Sequence, residues 1–200
     1  SEFFGAEHLF ADRAADAATR ECFLREVRDF EQGIMALGID LRGSNPTPDN
    51  IRGGLTTIEE KALGAMAKAG SSPLVGVLSY SERPKKAGLH FMSTPAPAVE
   101  SLTGLAAGGC QLCLFSTGVG NPIGSVVSTT IKVTGNRNTI ETFSDNIDFD
   151  VTDILEKGES VDSAGRRLFD YTVSVASGEL TTSEILDVRE TSISRFLPSM

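Results

Sequence analysis

The run from Gln111 to Val133, "QLCLFSTGVGNPIGSVVSTTIKV", decides how this chain folds. Its first residues are apolar and read as a buried strand. Its last part, "SVVSTTIKV" from Ser125, is rich in β-branched residues and reads as a second strand. Between them lies "STGVGNPIGS" (116–125), where Gly118, Gly120 and Gly124 surround the pair Asn121-Pro122. Outward from this strand-loop-strand unit, "PLVGVLSY" (73–80) and "GLHFMST" (88–94) are further strand candidates, and "VESLTGLAAGG" (99–109) is a helix. Residues 6–37 form one helix or two, with Phe23, Val27, Phe30 and Ile34 on one apolar stripe and Gly38 as the stop. A helix from Thr56 to Ala69 starts with a capping-box pattern, Thr56 or Thr57 followed by Glu59 or Glu60. Residues 161–176 form another helix, with Ala164, Leu168, Tyr171 and Val175 on one face. Short apolar strands interleaved with helices predict an α/β fold: a mostly parallel sheet flanked by helices, with Rossmann-like layering. The 200 residues suit a single domain.

Composition narrows the function. A net charge of −9 without a basic cluster argues against nucleic acid, whose binding needs lysines and arginines against phosphates. Arg83, Lys85 and Lys86 read as a solvated turn between strands. No apolar run reaches the ~18 residues of a membrane span. Cys22, Cys110 and Cys113 fit no disulfide framework, so a reducing, cytoplasmic setting is expected. Cys110 and Cys113 form a C-x-x-C, but strand positions three apart point to opposite faces, which favours a structural role. His8 and His90 leave little room for an all-histidine metal site.

In open α/β sheets, ligands gather at the carboxyl ends of strands. Three loops fit that rim: "STPAPA" (93–98), "STGVGNPIGS" and "GNRNT" (135–139). The dinucleotide fingerprint is absent, because the third glycine is one residue late, Pro122 intervenes and a strand follows. A P-loop is absent too, since no Lys-Ser/Thr follows Gly124. The loop 42–55 adds Arg42, Ser44, Asn45, Asn50 and the pair Gly53-Gly54, Arg42 being a fork of donors for a carboxylate. Glu60 and Lys61 sit in the first turns of the next helix. Asp145, Asp148, Asp150 and Asp153 read as a solvated acidic turn rather than a cation loop, and Glu7-His8 as the polar face of a helix.

Together "RGSNPTPDNIRGGLTTIEEKALGAMAKAG", "STPAPAVESLTGLAAGG", "STGVGNPIGS", "TIKVTGN", "DNIDFD" and "VASGE", in this order, resemble the C-terminal part of the altronate dehydratase and galactarate dehydratase family, which includes a sulfolactate sulfo-lyase branch. The likeness runs from "GAEH" to "FLPS". It implies a C-terminal domain of a longer hydro-lyase whose N-terminal segments are absent here. It also implies a divalent metal, Fe2+ or Mn2+, with ligands unassigned, and dehydration of a sugar acid to a 2-keto-3-deoxy acid. That reaction removes the proton beside the carboxylate and expels the 3-hydroxyl, so it needs fixed donors at the carboxylate and a tuned acid and base.

On this resemblance, Thr117, Gly118, Gly120, Asn121 and Gly124 form a cradle for a carboxylate or sugar hydroxyls, joined by Arg42, Asn45 and Asn50. Lys61 is the candidate base or electrostatic stabiliser, with Glu60 as its partner. Relatives carry Arg where this chain has Val119, so a direct charge contact from that position is lost. The competing expectations are a non-catalytic scaffold or dimerisation domain, completing a site held elsewhere, and a sulfo-lyase relative. The expected partners are a small sugar acid, the N-terminal segments of the same enzyme and a possible second copy.

Overall fold

The computed structural model describes residues 2–40, 43, 45–125 and 127–193. It divides into two units, Ser1–Pro97 and Ala98–Met200.

In the first unit, α1 (Glu7–Ala11) and α2 (Ala17–Ala36) are separated where Asp16 caps α2, its carboxylate accepting from the Thr19 N–H at 2.7 Å. The helical stretch expected before Gly38 is thus two helices. Then follow α3 (Pro48–Arg52), α4 (Ile58–Lys68), β1 (Leu74–Leu78) and β2 (Leu89–Met92). β1 and β2 pair in parallel, from Leu74 beside Leu89 to Leu78 beside Met92. Backbone bonds from Ala15 N to the Leu74 carbonyl (2.8 Å) and from Leu74 N to the Arg13 carbonyl (2.9 Å) tie the α1–α2 connection to β1. The core is Phe10, Ala11, Phe23 and Leu74, with Phe3, Val27 and Phe91 packed against them. The stripe read from sequence therefore turns inward through Phe23 and Val27.

The second unit runs α5 (Ala98–Ala107), β3 (Leu112–Ser116), β4 (Thr129–Thr134), α6 (Arg137–Phe143), a 3-10 turn at residues 144–146, β5 (Phe149–Asp150), α7 (Asp153–Glu156), α8 (Val161–Ala176) and α9 (Thr182–Ile185). β4 is central, parallel to β3 on one side and β5 on the other. The α/β class and the parallel pairing are as expected, with the strands shared between two sheets. β4 starts four residues later than its composition implies, because the Ser125 hydroxyl accepts from the N–H groups of Val127 (3.4 Å) and Ser128 (3.2 Å) and makes a turn there. α8 occupies the span expected of it and buries Ala164 and Val175, while Tyr171 packs on Phe149 of β5 at 5.6 Å between ring centres.

The acidic stretch departs from the solvated turn expected. Phe149 and Asp150 form β5, and the Asp148 carboxylate accepts from two backbone N–H groups, Lys132 (2.7 Å) and Thr182 (2.6 Å). Asp150 faces Arg137, whose guanidinium is held in a fork by Glu156. Among the described residues no helix is long and apolar enough to cross a membrane.

Candidate functional site

Alternation along β4 puts Thr130, Lys132 and Thr134 on one face and Ile131 on the other. All four are buried, so the central strand carries a polar stripe where a core strand is ordinarily apolar. Each polar group on that stripe has a partner. Thr130 donates to the Ser128 carbonyl (3.0 Å), and Thr134 donates to the Thr117 carbonyl (2.7 Å). The Lys132 ammonium, with no exposed surface, donates to the Ser183 hydroxyl (2.5 Å) and the Ile123 carbonyl (3.4 Å). Ser183, itself buried on α9, donates to the same Ile123 carbonyl (3.3 Å).

These contacts fix the glycine loop at the carboxyl end of β3. Its first residue prolongs the ladder, Thr117 N donating to the Val133 carbonyl (2.9 Å). The Thr117 hydroxyl accepts from Gly120 N (3.0 Å), and the Asn121 carbonyl oxygen accepts from Ile123 N (2.9 Å), two local turns closed by side chains. The Gly118 carbonyl accepts from Asn136 Nδ2 and Thr139 Oγ1, both at 2.7 Å. Two glycines are required. Gly120 has φ +86°, and a Cβ there would lie 2.6 Å from the Phe143 ring. A Cβ on Gly124 would lie 2.6 Å from the Ser183 Cβ, so only glycine lets the loop rest on that serine.

The five loop residues expected in a cradle thus lie in one braced loop. The expectation did not include its supports, Lys132, Ser183, Asp148, Thr134 and Asn136. One signal was available: "TTIKVT" places a lysine inside a run that otherwise reads as a buried strand.

Burial pushes the Lys132 amine below the usual lysine range, opposed by the more distant Asp148 carboxylate. The unfolded chain then holds the extra proton between the lowered folded value and the ordinary 10.5, so this group makes stability rise with pH across that window. Wild type is expected to gain stability relative to Lys132→Met as pH climbs from neutral toward that ordinary value. Urea unfolding of both proteins over a pH series measures this, and a difference that stays flat with pH would refute it.

The remaining candidates lie in the first unit. Lys61 Nζ donates to Asn45 Oδ1 (3.1 Å) and pairs with Glu2 (3.1 Å), not with Glu60. Glu60 instead accepts from the Thr56 N–H (2.8 Å) and hydroxyl, and these bonds hold its carboxyl below the usual carboxylate range. The foreseen capping box forms only in part: Thr57 caps α4 by accepting from Glu60 N (3.2 Å), while the Glu60 carboxylate reaches past the cap to Thr56. Asn50 and Thr47 cap each other, Thr47 N donating to Asn50 Oδ1 and Asn50 N to Thr47 Oγ1. Arg42 and Ser44 lie outside the described residues.

Cys113 is buried beside the Ser128 hydroxyl (3.3 Å) and Cys110 is exposed; both are free thiols. Among the described residues no group of three or more His, Cys, Asp or Glu side chains comes together to hold a metal ion. These residues alone do not furnish the ligand set of a divalent cation.

The family description "D-galactarate/Altronate dehydratase, C-terminal" matches residues 1–199. Altronate dehydratase of Escherichia coli (strain K12) is 39% identical over 192 residues, covering 96% of this chain and 38% of that protein. The (2R)-sulfolactate sulfo-lyase subunit beta of Chromohalobacter salexigens is 40% identical over 201 residues, 100% of this chain and 52% of that subunit. Galactarate dehydratase (L-threo-forming) of Escherichia coli (strain K12) is 34% identical over 182 residues, covering 91% and 35%. The chain spans about a third to a half of the length of these relatives.

Proposed function

This chain belongs to the D-galactarate/altronate dehydratase C-terminal family, and from that premise we propose that it is part of a lyase whose glycine loop holds the acid group or hydroxyls of a 2-hydroxy acid. The observation that carries this reading is the loop at residues 117–124, set at the carboxyl end of β3 and braced from β4, α6 and α9.

The relatives' substrates share one chemistry. Removal of the proton at C2, beside the carboxylate, builds negative charge toward that carboxylate, and the electron pair then expels a group from C3. From a sugar acid the group is hydroxide, leaving as water, and the enol tautomerises to a 2-keto-3-deoxy acid. From sulfolactate the C3–S bond breaks and sulfite leaves with its electron pair. Fixed donors at the carboxylate serve both reactions, because both pass through the same enolate-like charge. The sulfo-lyase subunit matches the whole of this chain, so a sulfonated hydroxy acid stands beside a sugar acid as the substrate class.

In this reading Thr117 and Asn121 are the polar contacts of the cradle, with Gly118, Gly120 and Gly124 admitting the substrate close to the backbone. Asn121 uses its carbonyl oxygen for the turn, which leaves the Nδ2 donor to face a ligand. Lys61, held by Asn45, is our candidate base or electrostatic stabiliser, and Glu60 acts by holding Thr56 just ahead of the helix that Thr57 caps. The divalent metal that the family resemblance implies finds no ligand set among the described residues, and no residue role in this reading depends on it.

Asn121→Ala, in the complete natural enzyme that carries this chain, is expected to lower kcat/KM by about tenfold or more, the worth of one lost hydrogen bond to a charged group. An unchanged kcat/KM would remove the loop from the substrate site. An assembly domain is the second reading, favoured by Val161, Phe169 and Val173, which α8 leaves exposed. It takes over if Asn121→Ala is silent and the chain self-associates through that face.

A further inference from the structure

We propose that Lys132 is the positioning residue of an anion site at the glycine loop, its ammonium setting residues 121–124 to receive a carboxylate or a sulfonate. This rests on the reading of that loop as a substrate cradle and names the charge that would draw the acid group to it.

Lysine is among the residues least often fully buried, and a buried cation is ordinarily matched by an anion. Lys132 has no exposed surface, yet among the described residues its ammonium has only neutral partners, the Ser183 hydroxyl and the Ile123 carbonyl. Asp148, the nearby carboxylate that acts on it, is committed to the backbone N–H groups of Lys132 and Thr182. Glu184, next to Ser183, is committed to Thr181 and Thr129. Among the described residues the ammonium therefore has no directly paired carboxylate, and Asp148 offsets its charge only from a distance.

Its contacts all lead to the loop. Ile123 belongs to it, and Ser183 lies against Gly124 so closely that no other residue fits there. A positive charge behind a loop of small residues raises the potential at the loop's open side, and the low-dielectric surroundings keep it from being screened. An anion seated there adds to the distant attraction of Asp148 the negative charge that the ammonium lacks at close range. Carboxylate and sulfonate satisfy the same requirement, which fits a family whose members act on both kinds of acid.

The test is a titration of the nitrogen-labelled chain with malonate, and separately with methanesulfonate, followed by NMR at constant ionic strength held with chloride. The amides of Gly118, Gly120 and Gly124 and the ammonium nitrogen of Lys132 are expected to move together, with one dissociation constant. Lys132→Met is expected to weaken that constant at least about tenfold, as for loss of a charged partner, and Lys132→Arg to restore part of it. Loop amides that move while the Lys132 nitrogen stays still overturn the proposal and leave the cradle reading standing. An unchanged constant in a folded Lys132→Met chain does the same. If that variant does not fold, the wild-type ammonium signal decides. Loop amides that ignore both anions also overturn the proposal, and the Asn121→Ala kinetics then decide separately whether the loop is a substrate site.

Discussion

Asp148→Ala is expected to destabilise the Ala98–Met200 unit by roughly 2–4 kcal/mol, and Asp148→Asn by clearly less. The carboxylate accepts from the N–H of Lys132 in β4 and the N–H of Thr182 at the start of α9. Alanine leaves both donors without a partner, at about 1–3 kcal/mol each, moderated because Asp148 is only half-buried and water reaches part of the gap. Asparagine keeps one oxygen and so one of the two bonds. The loss reaches the loop as well, because α9 carries Ser183, which then drifts from Lys132 and Ile123. Urea unfolding, with hydrogen exchange at the amides of β3 and β4, measures the effect. A cost for alanine below about 1 kcal/mol, or equal costs for alanine and asparagine, would mean that the carboxylate is not the link between strand and helix.

The same residue shows what sequence could and could not tell. Elements with a strong period were legible: the stripe of Phe23 and Val27 and the face of Ala164 and Val175 lie where the pattern puts them, while β3 forms where expected but buries only Cys113 and leaves Leu114 exposed. The place of the glycine loop after β3 was legible because glycines with Asn-Pro end a strand in a turn; its use as a cradle is our proposal. Asp148 was not legible, because an aspartate in an acidic run looks like a solvent-facing charge. Its role depends on two N–H groups brought to it from 16 and 34 residues away. Ser183 was hidden in the same way, since a serine in "TTSEI" reads as an ordinary helix start. Glu60 and Lys61 illustrate the opposite error. Adjacent opposite charges invite a pairing, but neighbours on a helix point about 100° apart, so each found its own partner.

Phe23→Ala is expected to cost the Ser1–Pro97 unit about 3–5 kcal/mol. Phe23 has no exposed surface, and its ring meets three others edge-on: Phe10 at 5.2 Å, Phe91 at 5.0 Å and Phe3 at 5.7 Å between centres. Those three neighbours come from the chain start, from α1 and from β2, so one side chain on α2 holds together elements far apart in sequence. Truncation leaves a cavity that stiff, interlocked rings cannot collapse into, and it also removes aromatic pairings worth about 0.5–1.5 kcal/mol each beyond their buried area. Phe23→Leu fills much of the volume and should cost markedly less, by losing the edge-on geometry while keeping the apolar contact. Equilibrium unfolding followed by exchange at the β1 and β2 amides reads this unit by itself. If alanine and leucine cost the same, ring geometry contributes nothing beyond area. If alanine costs under about 1 kcal/mol, the aromatic cluster is not the core of the unit.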